Sequence, residues 1–364
     1  MMKFKPTILD KYIIRKFIGT YLSALLVIIG IVIIFDISEK IDNFVQTQAP
    51  LEKIVFQYYA NFVPYFMNMF SPLFVFITVI FFTSKLAANS EIVAILSGGI
   101  SFNRMLYPYI LSALFITVFS LLLNLYIIPP SNRGRLEFEN KYVKKQYVNT
   151  DRNIHYQINP GEFVYMESFS NFSKSGIKFT LEKMDGHKMI SKLSAENAVW
   201  DSLSGKWKLF EYYHRKFDER GVQTITKGAQ IDTLINLTYE DLSARTNIVQ
   251  TLNYRQLNDM ISTQKMRGDK MVKYALIEKH TRFALPFAAI ILTIMGVSLS
   301  SKKKRGGIGM NIGIGIALSF SYILFLRFSQ MFVHSGVLPP WLALWVPNIL
   351  YGTIAYLLYR IAPK

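Results

Sequence analysis

The sequence predicts an α-helical integral membrane protein with six transmembrane helices, split three and three by an inserted all-β domain of sandwich or jelly-roll type. Three observations predict it. Apolar runs of about twenty residues, long enough to cross a bilayer, recur along the 364-residue chain. Lys and Arg, which give a net charge of +17, gather at the ends of those runs, which favours anionic lipid over nucleic acid as the charged partner. Between the third and fourth runs lies a long polar stretch of short β-type segments punctuated by turn signals. The chain has no cysteine, so thiol catalysis and disulfides are excluded.

The first run, residues 17–35, follows Lys3, Lys5, Lys11, Arg15 and Lys16 in the manner of a secretory signal. It exceeds the usual signal core and leads into Asp36, Glu39 and Asp42 with no small-residue cleavage site, so it reads as a retained helix. The second run, about 54–83, is long and contains Pro64 and Pro72, which predicts a kink or tilt. The third, about 105–128, is expected to end at Pro129-Pro130. The fourth, fifth and sixth fall at about 283–299, 308–328 and 341–359.

Six spans place both termini on one side, and the short loops decide which. Basic residues crowd the N-terminus, the loop with Lys85 and Arg104, the loop with Lys302, Lys303, Lys304 and Arg305, and the tail with Arg360 and Lys364. The opposite loops hold only Lys40 and Lys53 in one and none over 332–340. Both termini are therefore expected in the cytoplasm and the large middle domain outside.

This divides the chain into residues 1–128 (three spans with a cytoplasmic helix at about 89–97), 129–279 (the β-domain and a connecting helix) and 280–364 (three spans). Strands are predicted at 154–158, 162–169, 176–183, 188–193, 206–217, 222–226 and 230–237, with turn signals at Asp185-Gly186, Ser204-Gly205 and Glu219-Arg220-Gly221. A helix over about 254–266, ended near Gly268, leads back to the membrane.

No catalytic pattern emerges. The glycines at 306, 307, 309, 313 and 315 do not make a phosphate loop, and the five histidines (155, 187, 214, 280 and 334) lack metal-ligand spacing. Acidic residues are nearly absent from the spans, which argues against a proton relay or an ion-driven transporter. No cofactor or metal is expected, and any energy for work would come from a partner.

Four features could carry function. In the loop 84–104, Asn89 or Ser90 can cap a short helix with Glu91 in its first turn and Ile92, Ile95 and Leu96 on one apolar face, closed by Gly98-Gly99. Such a helix fits a groove of a motor protein, and equally fits a lipid surface. In the fifth span Gly309, Gly313, Ala317 and Ser321 recur every fourth residue, as do Gly307, Asn311, Gly315 and Ser319. Small residues on two faces suit either tight packing or a gate that parts without large repacking. Lys40, Lys53, Arg133, Arg135, Arg282 and Arg327 fall near the outer ends of the spans. Converging, they would attract an anionic headgroup such as a phosphate. Singly, they would snorkel or pair with Glu39, Glu137 and Glu278. Lastly, an exposed edge of the β-domain could accept another chain's strand.

These segments together resemble the lipopolysaccharide-export permeases, the LptF/LptG (YjgP/YjgQ-like) family, over nearly the whole chain. The resemblance rests on LDKYIIRKFIGTY, FDISEKIDNF, NSEIVAILSGGIS, AENAVWD with GKWKLF, and EKHTRFALPFAAIILTIMGVSLS. The EKIDNF string leans towards the LptG side. The resemblance implies an inner-membrane transport subunit, without an ATPase site of its own, in an ATP-binding-cassette lipid exporter. Its implied partners are a paired homologous permease, a cytoplasmic LptB-like ATPase, periplasmic jelly-roll proteins of the LptC/LptA kind, and lipopolysaccharide itself. It implies ATPase coupling through Glu91, lateral gates at spans one and five, and a lipid-phosphate contact for which Lys40 stands nearest. A non-transporting envelope scaffold, a permease for another anionic amphiphile, and a lipid-modifying enzyme using Glu278 and His280 remain alternatives.

Overall fold

The computed structural model describes residues 7–143, 151–218, 220–243, 246–302 and 307–362. It forms two compact units, one of residues 1–143, 250–254 and 276–364, the other of 144–249 and 255–275.

Among the described residues six helices are long and apolar enough to cross a membrane, and all lie in the first unit but for the start of the one that begins at Met271. Helix α1 (Ile8–Gln46) begins at a capping box, in which Thr7 and Asp10 satisfy each other's backbone N–H groups. It runs well past the predicted span at both ends. Ile13, Phe17, Tyr21, Leu25 and Ile29 are buried at four-residue intervals. That stripe is narrow, so Leu26, Val27, Ile34 and Phe35 stay exposed, as an apolar medium allows. A π-helical turn (Lys53–Tyr59) leads into α2 (Ala60–Ala88), which continues through both Pro64 and Pro72. Helix α3 (Glu91–Ser97) is short, and α4 (Phe102–Leu122) begins behind a Ser101 cap.

The helix expected to stop at Pro129-Pro130 does not. A second π turn (Leu123–Ile127) shifts the hydrogen-bond register, and α5 (Ile128–Tyr142) follows directly. Both prolines lie in the first turn of this new stretch, where a missing N–H costs little.

In the second unit the strands are β1 (Arg152–Asn159), β2 (Glu162–Ser170), β3 (Ser175–Asp185), β4 (Lys188–Asp201), β5 (Lys206–Phe217) and β6 (Gln223–Thr233). The inserted all-β domain is present as expected. Its described strands pair antiparallel in chain order, β1-β2-β3-β4-β5-β6, a meander without the crossovers of a Greek-key jelly roll. The two strands predicted at 222–226 and 230–237 are one strand as far as Thr233. Gly228 keeps its place opposite Tyr212, and the Tyr212 ring covers it so closely that an added Cβ would lie 2.7 Å from Cε1. The glycine is thus a packing requirement, and no turn forms there. Between β3 and β4 a two-residue turn puts Gly186 at φ 57°, a conformation most side chains avoid. One face of the sheet buries Val164, Met166, Phe179, Leu181, Leu193 and Leu209. Trp207 is fully buried there and donates its Nε1–H to the Leu237 carbonyl at 2.7 Å.

The remaining helices are α6 (Tyr239–Ser243), a 3₁₀ turn (Thr246–Thr251), α7 (Tyr254–Arg267), α8 (Met271–Ser300), α9 (Gly307–Ser335) and α10 (Pro340–Ile361). Helix α7 ends at Gly268, φ 69°, as the sequence predicts. Within the membrane unit α2 is central, packing on α1, α5 and α9. Phe76 and Ile80 of α2 share a core with Leu292 and Met295 of α8, Tyr322 of α9 and Tyr351 of α10. Polar residues inside the bundle bond to one another: Asn68 donates to Asn124 at 2.9 Å and accepts from Ser120 at 2.5 Å, and Asn348 accepts from Tyr322 at 2.9 Å. In an apolar medium such partners avoid the cost of an unpaired amide.

Candidate functional site

Neighbouring ends of α1, α2, α5 and α8 carry a set of buried and half-buried ions. Lys40 of α1 donates to Asp36, one helical turn earlier, and to the Tyr58 hydroxyl. Tyr58 and Tyr59, the last residues of the first π turn, both donate to Asp36, at 2.9 and 3.1 Å. Glu139 of α5 lies within electrostatic reach of Tyr58 and is 3.8 Å from Arg135. The Arg135 guanidinium stacks over Tyr65, 4.7 Å from the ring centre. Arg282 of α8 is 3% exposed, donates to Glu278 at 2.8 Å and to the Leu252 carbonyl at 2.8 Å. Tyr65 also senses Glu278 and Arg327, so Arg135, Arg327 and the Glu278–Arg282 pair share one neighbourhood.

Of the six basic residues singled out, Lys40, Arg135, Arg282 and Arg327 thus belong to connected clusters. Arg327 is exposed and donates to Gln330 at 3.3 Å. Lys53 and Arg133 are also exposed. The carboxylate partners differ in part from those expected: Asp36 and Glu139 take the places foreseen for Glu39 and Glu137, while Glu278 is as expected. All three ion pairs are four residues apart on one helix. That spacing was visible in the sequence, since side chains four apart on a helix face one another. The tyrosines were not visible, because Tyr58 and Tyr65 reach these ions only through tertiary packing. Chemically, this site is a row of cations of which Lys40, Arg135 and Arg282 are already paired with carboxylates. An incoming phosphate would exchange with a carboxylate, gaining charge-assisted bonds without exposing a bare buried cation. Glu278, considered alongside His280 as an acid–base pair, is held by Arg282.

The short helix α3 exists where expected, but its capping and facing differ. Ser90 sits in the left-handed region (φ 61°) and makes no side-chain cap; Asn89 instead donates to Glu91 at 3.1 Å. Ile92 is 1% exposed, and Ile95 and Leu96 pack against the same core as Phe17 and Tyr109. The apolar face expected to meet a partner is turned inward because this chain's own core lies beneath it. Val93, Ala94 and Ser97 face outward, beside a partly exposed Glu91 whose carboxylate lies 3.5 Å from the Tyr12 hydroxyl. Just after α3, Arg104 forms a two-pronged bond to Asp10 of α1, 2.6 Å on each prong, and reaches Thr7 at 3.2 Å. Sequence reading missed this tie, since 94 residues separate the partners.

On α9 the two small-residue stripes have different fates. Asn311 donates to Ser84 of α2 at 3.0 Å, and Gly315 lies so close to Ile80 that an added Cβ would meet its Cδ1 at 2.5 Å. Gly309, Gly313 and Ala317 face outward, and nothing lies within 4 Å of a Cβ built on either glycine. Ser321, at the end of that stripe, is exposed yet shares a hydrogen bond with the Tyr351 hydroxyl of α10.

Six apolar spans, an inserted β-domain and paired charges at the span ends define a polytopic membrane protein. The chain belongs to the lipopolysaccharide export system permease family LptF/LptG, whose sequence profile matches residues 11–360. It is a multi-pass inner-membrane transport component of that kind. Comparison with curated proteins gives no match.

Proposed function

We propose that this chain is the permease subunit of an ATP-binding-cassette exporter that lifts lipopolysaccharide from the inner membrane and passes it to a periplasmic bridge. One observation carries this reading: the family match, over residues 11–360, takes in both sets of spans and the β-domain between them. The termini are cytoplasmic and the β-domain periplasmic, following the loop charges. Helix α3 rests on an LptB-like ATPase through Glu91 and the outward Val93 and Ala94, while Ile92, Ile95 and Leu96 transmit its movement inward to the core. At the outer surface, lipid phosphates exchange with Asp36 at Lys40 and with the carboxylates at Arg135 and Arg282; Arg327, Lys53 and Arg133 add positive field. The outward stripe of α9 (Gly309, Gly313, Ala317 and Ser321) and the exposed side of α1 close against the paired permease as lateral gates. The β-domain edge hands the lipid to LptC/LptA-like proteins.

The test is affinity purification from membranes in mild detergent, with mass spectrometry of bound proteins and lipids. The parent chain is expected to bring down an ATP-binding-cassette ATPase and lipopolysaccharide. Glu91→Lys should insert normally yet lose the ATPase, and Lys40→Glu should lose photo-crosslinking to lipopolysaccharide. Recovery of the ATPase at parental level with Glu91→Lys refutes the coupling role. Recovery of envelope proteins with neither ATPase nor lipid from the parent chain points to a scaffold instead.

A further inference from the structure

A second intramembrane feature lies away from the Lys40, Arg135 and Arg282 pairs. A cavity of about 370 Å³ opens between the first turns of α4, the middle of α8 and the last turns of α10. Its inner part is apolar, lined by Leu106, Ile110, Ile291 and Ile294. Its rim is polar, formed by Asn103, Tyr356 and Tyr359. Along α4 the lining runs from Asn103 to Ile110, and along α10 from Tyr359 back to Gly352, each seven residues or about 10 Å of helix. The slot therefore descends from the span ends into the hydrocarbon depth. The Tyr359 hydroxyl donates to Asn103 at 2.5 Å, which pins the two helices at its mouth.

Arg360 stands beside this rim, exposed, donating to the Tyr356 hydroxyl at 3.3 Å. Among the described residues it has no carboxylate partner, in contrast to Lys40, Arg104, Arg135 and Arg282. Gly352 leaves the slot open: a Cβ built there meets nothing within 4 Å.

We propose that this slot holds one acyl chain of an anionic phospholipid, with the headgroup phosphate on Arg360 and the Asn103–Tyr359 rim. The polarity gradient matches an amphiphile with its tail inward and its head at the mouth. A guanidinium without a carboxylate partner among the described residues supplies the preference for negative charge, and its planar fork suits a phosphate. The site uses only residues of this chain.

The test is native mass spectrometry of the full-length chain in detergent, titrated with phosphatidylglycerol and, separately, phosphatidylcholine. One phosphatidylglycerol is expected to bind more tightly than the rest. Gly352→Phe, which fills the slot, should abolish that tight binding, whereas Gly352→Ala should keep it. Arg360→Gln, at an exposed position with no structural burden, should cut the preference for phosphatidylglycerol roughly fivefold. Tight binding undiminished by Gly352→Phe overturns the slot, and an unchanged lipid preference in Arg360→Gln overturns the headgroup assignment. A photoreactive residue replacing Gly352 should crosslink to lipid in native membranes. Crosslinking to a protein segment instead would overturn the proposal even if Gly352→Phe failed to fold.

Discussion

Removing Arg104 should unfasten the start of α1 from the segment that follows α3. Asp10 is 2% exposed, and its carboxylate accepts four bonds: two from Arg104, at 2.6 Å each, and two from Thr7, at 2.8 and 2.9 Å. In Arg104→Ala the Thr7 bonds survive, but a buried carboxylate keeps its charge and loses its only ion-pair partner among the described residues. Breaking a buried pair from one side costs about 3–5 kcal/mol. The Arg104 side chain is 32% exposed, so water screens part of the interaction, and about 2–3 kcal/mol is the reasoned figure. Asp10→Ala removes the burdened group itself, so a double-mutant cycle should give a coupling energy of about 2 kcal/mol. The assay is denaturant unfolding of the full-length chain in mixed micelles, comparing parent, both single variants and the double variant. Arg104→Lys, which keeps the charge but not the two-pronged geometry, should fall between parent and Ala. A coupling energy below about 0.5 kcal/mol would refute the reasoning, because it would mean that Asp10 is solvated by other means.

Two further expectations follow from the packing and the charges. Gly315→Leu should destabilise the bundle by about 1–3 kcal/mol, since its side chain collides with Ile80, whereas Gly313→Leu should leave the melting of the isolated chain unchanged and, on the proposed function, reduce co-purification with the proposed permease partner. Equal melting of the two variants would show that α9 does not present those faces. In the β-domain, burial first, then Lys216 and Lys183, hold His214 below the ordinary imidazole value. The unfolded chain therefore takes up the proton first, so the His214 contribution is flat above about pH 7.5 and stability falls as pH drops through the ordinary imidazole value towards the folded one. His214→Gln should remove that part of the slope in hydrogen exchange of β4 and β5 amides; an unchanged slope would place its origin elsewhere.

Much of this molecule was legible in the amino-acid order alone. Length and polarity of the apolar runs determine six spans, because a backbone crossing lipid must close its own hydrogen bonds over about twenty residues. Local chemistry likewise determines the Asp185-Gly186 hairpin, the end of α7 at Gly268 and the existence of α3. The four-residue spacing of Asp36–Lys40, Arg135–Glu139 and Glu278–Arg282 was there to be read too. Periodicity, however, says only that a helix has a face; it does not name what the face meets. Tertiary structure alone decided that the Asn311–Gly315 stripe packs on α2 while Gly309 and Gly313 look outward, and that Ile92 turns inward. It also carried α5 through two prolines by a π turn and kept β6 whole beneath the Tyr212 ring. Asp10 meets Arg104, and Tyr65 meets Arg135, across separations at which local sequence carries no distance information. Such contacts arise because a packed bundle must satisfy every buried charge with whatever side chain the fold delivers to it.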